Sequence, residues 1–376
     1  MKLLALVESP DHVCCRYRIR AFAPALEQAG WSLTCESLTR GAVARAVQLR
    51  GAAQFDAVVL QRKLLPAWQL RILRRSAPRL VFDFDDAVLF RDSHDPRGQD
   101  DPRRRRRFAA TMAAADTIVA GNDFLADCAL RAGARVEDVH VIPTCVDPRR
   151  YPLARHEPAD GRADLVWIGS SSTLRGLEQP GEVWKAIATA VPGLRLRVIC
   201  DRFPRELPIP VVPVPWSEAD EAGELAVGQI GVSWLPDDLW SRGKCGLKVL
   251  QYQAAGLPVI ANPVGCQSEM IRHGEDGFLA TESVEWVGAV RRLAGDHELR
   301  RRMGAAARRR VDTDYSLSAW SETFVTSMTG GKHSAVVAGA HWKADRPPPT
   351  DGGRSILEPH AAQVRTTSSL NPIGQP

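Results

Sequence analysis

Short apolar runs alternating with helical patterns, six of them before a proline-rich break and six after it, constrain this chain more than any other feature. The runs at 3–7, 32–36, 55–60, 79–84, 117–120 and 139–142 are each bounded by polar or turn residues. Strands that read as continuous apolar runs belong to parallel sheets covered on both faces, and the intervening helices supply the crossovers. Between 143 and 160 the rhythm breaks at Pro143, Pro148, Pro152 and Pro158. It resumes with 165–168, 194–200, 211–214, 230–234, 259–261 and 277–280. The pattern predicts an α/β chain with two doubly wound domains, residues 1–150 and 151–314. A last helix over 315–330 turns back toward the first domain. Residues 331–376 are rich in Pro, Gly and Ser with few large apolar groups, and are expected to be a disordered tail.

Bulk properties fit that division. A chain of 376 residues exceeds a single typical core. Its 44% hydrophobic and 25% charged residues are those of an ordinary globular protein. The net charge of +5 identifies no partner by itself. The basic run from Arg103 to Arg107 suits either a solvated helix face or an anionic membrane surface; no nucleic-acid partner is expected. The eight cysteines lack the paired C-x-x-C spacing of a zinc site or redox motif and read as reduced thiols, which predicts a cytoplasmic protein. No stretch approaches a membrane-spanning length, so any membrane association is expected to be peripheral.

Two facing doubly wound sheets bind ligands at the carboxyl ends of their strands, so the loops there are the candidates. After the seventh run come Gly169, Ser170, Ser171, Ser172, Thr173, Leu174, Arg175 and Gly176. A loop of this kind opening a helix suits an anion, with Arg175 as a second contact, although Ser172 or Thr173 also serves as an ordinary helix cap. A second segment carries Gly243, Lys244, Gly246 and Lys248 at the start of a helix. Two lysines four residues apart share one helical face and would flank one anion. A third follows the fourth run, where Asp83 and Asp85 share one face of the strand and Asp86 comes next. Crowded carboxylates raise one pKa, which suits a base or a hydroxyl acceptor; a cap for the following turn and a metal site are the alternatives. Arg16 opens the first helix, placed at 16–29, and would meet an anionic substrate or solvent.

With Asn262, Pro263, Val264, Gly265 and the run from Glu269 through Gly277 to Leu279, the Lys244–Lys248 segment resembles the donor-binding half of family 4 retaining glycosyltransferases. That resemblance implies the GT-B fold: two Rossmann-like domains facing each other across a cleft. It also implies a nucleotide-sugar donor in the second domain, no metal or other cofactor, and a glycan, lipid-linked or small-molecule acceptor on the first. Gly169, Ser170, Arg175, Gly176, Lys244, Gly246, Lys248 and Gln251 match its donor-binding positions. Asp85, Asp86, Arg175 and Lys248 are the catalytic candidates, and Arg16, Asp83, Asp85 and Asp86 the acceptor-binding ones. Ser170 stands where the family usually has arginine. Gly243 and Gln251 stand where it carries two glutamates, the first near the donor sugar and the second on the ribose. A sugar-nucleotide epimerase of the same fold, or a binding protein without turnover, are the rival readings.

Overall fold

The computed structural model describes residues 1–156 and 163–331. The expected tail, apart from Gly331, and Pro158 of the expected linker lie outside the described residues.

All twelve apolar runs form strands. The first six are β1 (Lys2–Val7), β2 (Ser32–Ser37), β3 (Ala57–Gln61), β4 (Leu80–Phe84), β5 (Thr117–Ala120) and β6 (Val139–Val141). They build one parallel sheet in the order β2-β1-β3-β4-β5-β6. The other six are β7 (Asp164–Ile168), β8 (Arg195–Cys200), β9 (Val211–Pro215), β10 (Ile230–Ser233), β11 (Val259–Ala261) and β12 (Gly277–Leu279). They form a second parallel sheet in the order β12-β11-β10-β7-β8-β9.

Sequence and strand position agree in detail. The predominantly apolar strands β3, β4 and β5 are buried along their whole length inside the first sheet, Asp83 of β4 included. Polar alternation marks β2, an edge strand with half-exposed residues. Pro213 and Pro215 fall in β9, the edge of the second sheet, where a missing N–H costs no ladder bond.

Seven helices bear on the site and its surroundings. They are α1 (Val13–Arg18), α2 (Ala42–Gly51), α3 (Ala67–Ser76), α4 (Pro102–Ala114), α5 (Leu174–Glu178), α6 (Leu247–Ala254) and α7 (Leu317–Thr329). The single helix expected over 16–29 is three pieces. α1 starts earlier, capped by His12, and stops at Ile19; a 3-10 turn, Arg20–Phe22, then leads into the helix Ala23–Gln28. Pro24 is the local cause, because it carries no N–H for a continuous ladder and is accommodated only in the first turn of a new helix.

α7 returns to the first sheet after the second is complete. Phe324 stacks on Phe22 with centroids 4.1 Å apart, and both join Leu3, Ala5, Val7 and Met328 in one core. Burying a side chain of that size contributes about 1.5–3 kcal/mol. At its start Val146 bridges to Ser316, so the outgoing and returning segments run side by side.

Candidate active site

A cavity of about 530 Å³ opens between the carboxyl ends of the two sheets. Its first-sheet wall carries His12, Cys14, Arg16 and Tyr17 after β1, Arg62 after β3, and Asp85 and Asp86 after β4. Its second-sheet wall carries the loop after β7, Trp216 after β9, and the segment that leads into α6.

Lys248 is the cation that decides what this cavity can hold. It lies in the first turn of α6, with Nζ 3.4 Å from Thr173 Oγ1 and 5.2 Å from the centre of the Trp167 ring. No carboxylate pairs with it among the described residues, whereas Lys244 reaches Asp86 at 2.9 Å and lies over Trp240. Burial first, and the nearby Lys244 ammonium second, pull the Lys248 amine down to about 8. A half-buried ammonium without a counter-ion is an unmet demand for negative charge. Gly246, at φ +63, starts the helix beside it, and a Cβ there would meet the Met270 sulfur at 2.3 Å. Glycine is required at that position on both counts.

The acidic loop after β4 works differently from the expectation. Asp83 does not line the cavity, and this corrects its assignment to the acceptor. Its carboxylate is fully buried and takes Arg18 Nε at 3.0 Å and Nη2 at 2.6 Å, with Gln61 on the other oxygen at 3.1 Å. Asp85 and Asp86 do line the cavity. The expectation that crowding raises a pKa here is corrected: burial opposes the Asp85 charge, but Arg62 and then Arg18 outweigh burial and hold the carboxyl below its usual value. Its Oδ1 is buried against Arg62 and makes no hydrogen bond of normal geometry. Arg62 lies 3.4 Å from Asp85 and also pairs with Asp86. Its backbone sits at φ +60, strained for a residue with a Cβ. Only its place at the carboxyl end of a strand could have pointed to it in the sequence.

In a second corner, Arg16 is a strut between the two halves. It pairs with Glu218 at 2.9 Å and Glu221 at 3.0 Å, both from the second half, and its guanidinium lies over Trp216. Tyr17 donates to Glu221 at 2.8 Å, Trp216 Nε1 donates to the same carboxylate at 2.8 Å, and Gln251 Nε2 donates to the Tyr17 oxygen at 3.1 Å. Gln251 thus lines the cavity, with its amide engaged by the first half. Sequence reasoning missed Tyr17, Glu221 and Trp216, since partners 205 residues apart leave no local pattern.

The loop after β7 folds tightly on itself. Ser170 N–H donates to Thr173 Oγ1 at 3.1 Å, and Ser171 N–H donates to Asp201 at 2.6 Å. A Cβ at Gly169 would stand 2.3 Å from the Trp167 ring. Gly169, Ser170, Ser172, Thr173 and Gly176 line the cavity. Arg175 does not: it is exposed on the outer side of α5, so its assignment to the phosphates and to catalysis is corrected. Helical phase is the reason, because the buried Leu174 and Leu177 fix the face that turns inward.

Gly243 is explained by close approach. A Cβ there would lie 2.6 Å from the Ala87 Cβ and 2.7 Å from its backbone nitrogen, so the loop after β4 fills the space a side chain would need. Asn122 ties down the same stretch, donating to the carbonyls of Arg242 at 3.3 Å and Lys244 at 3.1 Å. Gly243→Ala should therefore cost about 1–3 kcal/mol by overpacking. Gly243→Glu should lower rather than raise any turnover. Urea denaturation and initial rates check both, and a more active Gly243→Glu would show that the loop after β4 yields freely.

A family model described as glycosyl transferase-like matches residues 182–326. A D-inositol 3-phosphate glycosyltransferase of Streptomyces bingchenggensis is 26% identical over 272 residues, covering 61% of this chain and 56% of that relative. The Nocardia farcinica protein of the same name is 41% identical over 64 residues, 16% of this chain and 14% of the relative. The matches thus span little more than half the length of these curated relatives at most. Anabaena HepE, solved in complex with UDP and glucose, superposes with a TM-score of 0.63 at 15% identity, over 88% of this chain and 100% of that one. Sucrose-phosphate synthase of Thermosynechococcus elongatus gives 0.66 at 16% identity, over 86% and 96%. In sequence this chain resembles the family 4 retaining glycosyltransferases, and its two parallel sheets form the GT-B fold.

Proposed function

We propose that the protein is a glycosyltransferase that moves a sugar from a nucleotide-sugar to a hydroxyl of a glycan, lipid-linked or small-molecule acceptor, with retention at the anomeric carbon. The observation that carries the reading is Lys248, a cation without a carboxylate partner among the described residues, at the start of α6 and inside the cleft of a GT-B fold. HepE was solved with UDP-glucose, which supports a nucleotide-sugar as the ligand class. The diphosphate would lie against Lys248 and the Gly246 end of α6, with Lys244 behind.

In the reaction the bond from the anomeric carbon to the diphosphate oxygen breaks and a bond to the acceptor oxygen forms on the same face. Negative charge grows on the departing oxygen, where Lys248 is already placed without reorganisation. The acceptor proton passes to that oxygen. Asp85, held ionised by Arg62, and Asp86 stand on the first-sheet wall of the cavity, where the acceptor hydroxyl would be oriented. This scheme assigns neutralisation of the phosphates to side chains and a helix end, not to a metal.

Incubation with UDP-, GDP- and ADP-sugars and a panel of cell-envelope glycans, followed by proton NMR of the product, tests the reading. A retained anomeric configuration is expected. A free sugar-nucleotide inverted at C2 would sink it in favour of an epimerase.

The amine at about 8 sets a pH dependence. A bound diphosphate raises the Lys248 pKa, so donor affinity is flat below about 8. It then falls up to about tenfold per pH unit until the amine of the complex also titrates. Lys248→Arg, charged throughout, should show no such fall. Titration calorimetry with a sugar-nucleotide from pH 7 upward reads it directly, and a wild-type profile flat through pH 9.5 counts against the contact.

A further inference from the structure

Three neighbouring helices on the first half depart from the charge balance of the rest of the chain. α2, α3 and α4 connect β2 to β3, β3 to β4 and β4 to β5, and each packs against the next. Right-handed crossovers place them on the same side of the sheet. They carry two, three and five arginines and not one aspartate or glutamate, in a chain with 44 acidic residues against 49 basic ones. Ordinary solvated faces mix both signs.

Their outward stripes are also apolar. Val43 and Val47, one turn apart on α2, are 79% and 61% exposed, and Trp68 on α3 is 44% exposed. Arg50 continues the α2 stripe, while Arg71 and Arg75 continue the α3 stripe from Trp68; all three are exposed. On α4, Arg103 and Arg106 are exposed. Among the described residues none of these five arginines has a carboxylate partner, whereas Arg74 pairs with Asp116 and Arg105 with Asp100.

We propose that this face docks on an anionic lipid bilayer. Arginines meet the headgroups, and Val43, Val47 and Trp68 enter the interface, where an aromatic ring with a polar edge is favoured. Bare valines and an indole have no use for a polyphosphate duplex, so the apolar stripe distinguishes lipid from nucleic acid. Val43, Trp68 and Arg103 are each the second residue of their helix. In a parallel sheet helix starts lie at the carboxyl edge of the strands, so docking brings the acceptor wall of the cleft near the headgroups. A lipid-linked acceptor follows, and that consequence alone rests on the transferase reading.

Co-sedimentation of the full chain with vesicles of phosphatidylcholine alone, and of equal parts phosphatidylcholine and phosphatidylglycerol, tests the docking. Wild-type protein should bind the anionic vesicles about tenfold better at low salt and lose most of that at high salt. Val43→Ser with Val47→Ser and Trp68→Ser should weaken vesicle binding without changing charge, and Arg75→Gln with Arg103→Gln and Arg106→Gln should weaken it further. Unchanged sugar-nucleotide affinity in both variants shows that they fold. Wild-type protein that ignores anionic vesicles at low salt overturns the proposal. So does binding to duplex DNA that matches vesicle binding and is blind to the serine variant, which makes the face a general polyanion surface. Vesicle binding by a protein that takes no sugar-nucleotide keeps the docking and removes the transferase reading.

Discussion

Lys248→Met is expected to lower kcat/KM about 10²–10³-fold, because it removes the cation placed at the departing phosphate while keeping the length of the side chain. The same change should make the protein more stable at neutral pH. Lys248 is held in a site that disfavours its charge, so its amine falls from 10.5 to about 8 on folding. A lysine with a depressed folded pKa imposes a cost that is fully present below about pH 8 and fades as pH rises toward 10.5, where the unfolded chain also loses its proton. The methionine variant should therefore melt about 2 °C or more above wild type at pH 7, with the gap closing above pH 8. Thermal melts at pH 7 and pH 9.5, beside steady-state rates, measure both effects. A variant that is less stable and fully active would mean that Lys248 packs rather than binds.

The opposite division of effects is expected at Asp83. Asp83→Ala leaves the Arg18 guanidinium buried with the Ile142 carbonyl at 2.9 Å, its hydrogen-bonded carboxylate gone and only the field of Asp85 left as counter-charge. Breaking a buried pair by removing one partner costs about 3–5 kcal/mol. Arg18→Leu with Asp83→Leu, which removes both charges, should recover much of that loss. Donor affinity in the surviving folded fraction should stay near wild type, since the pair lies behind the cavity wall. Urea denaturation of the single and paired variants checks the order, and a single variant as stable as wild type would mean that Arg18 has another partner.

These two residues show what was legible in the sequence. Strands were, because a parallel sheet buried on both faces needs consecutive apolar residues, and β3 to β5 carry them. Gly246 was legible for a local reason, since a left-handed helix start requires glycine; the expectation that Lys244 and Lys248 share one helical face is corrected, because α6 begins only at Leu247 and Lys244, in the turn before it, reaches Asp86. Asp83 and Asp85 were expected on one face of a strand, but β4 ends at Phe84, so Asp83 is buried behind the wall and Asp85 lies in the cavity beyond the strand, and the arginines that meet them, Arg18 and Arg62, arrive from α1 and the end of β3. Arg175 fell outside the cavity because one residue along a helix turns a side chain by about 100°. Arg16 and Gln251 were singled out for substrate, yet their partners in the structure are Glu221 and Tyr17, which belong to opposite halves of the molecule. Contacts between halves depend on how two surfaces meet, and no periodicity within either half encodes them. Gly243 reads as a missing side chain in the sequence and as a close backbone approach by Ala87 in the structure.

The most direct measurement of the central claim is proton uptake when a sugar-nucleotide binds. Titration calorimetry at pH 8.5 in buffers of different ionisation enthalpy counts protons taken up per ligand. The diphosphate does not titrate near that pH, and with an ADP-sugar, whose base carries no imide proton to lose, the protein must supply the change. With the Lys248 amine at about 8, part of the free protein is neutral there, and binding a diphosphate should draw in a substantial fraction of one proton. Lys248→Met should take up none. Tight binding by both proteins with no proton uptake by either would contradict the placement of the diphosphate on Lys248.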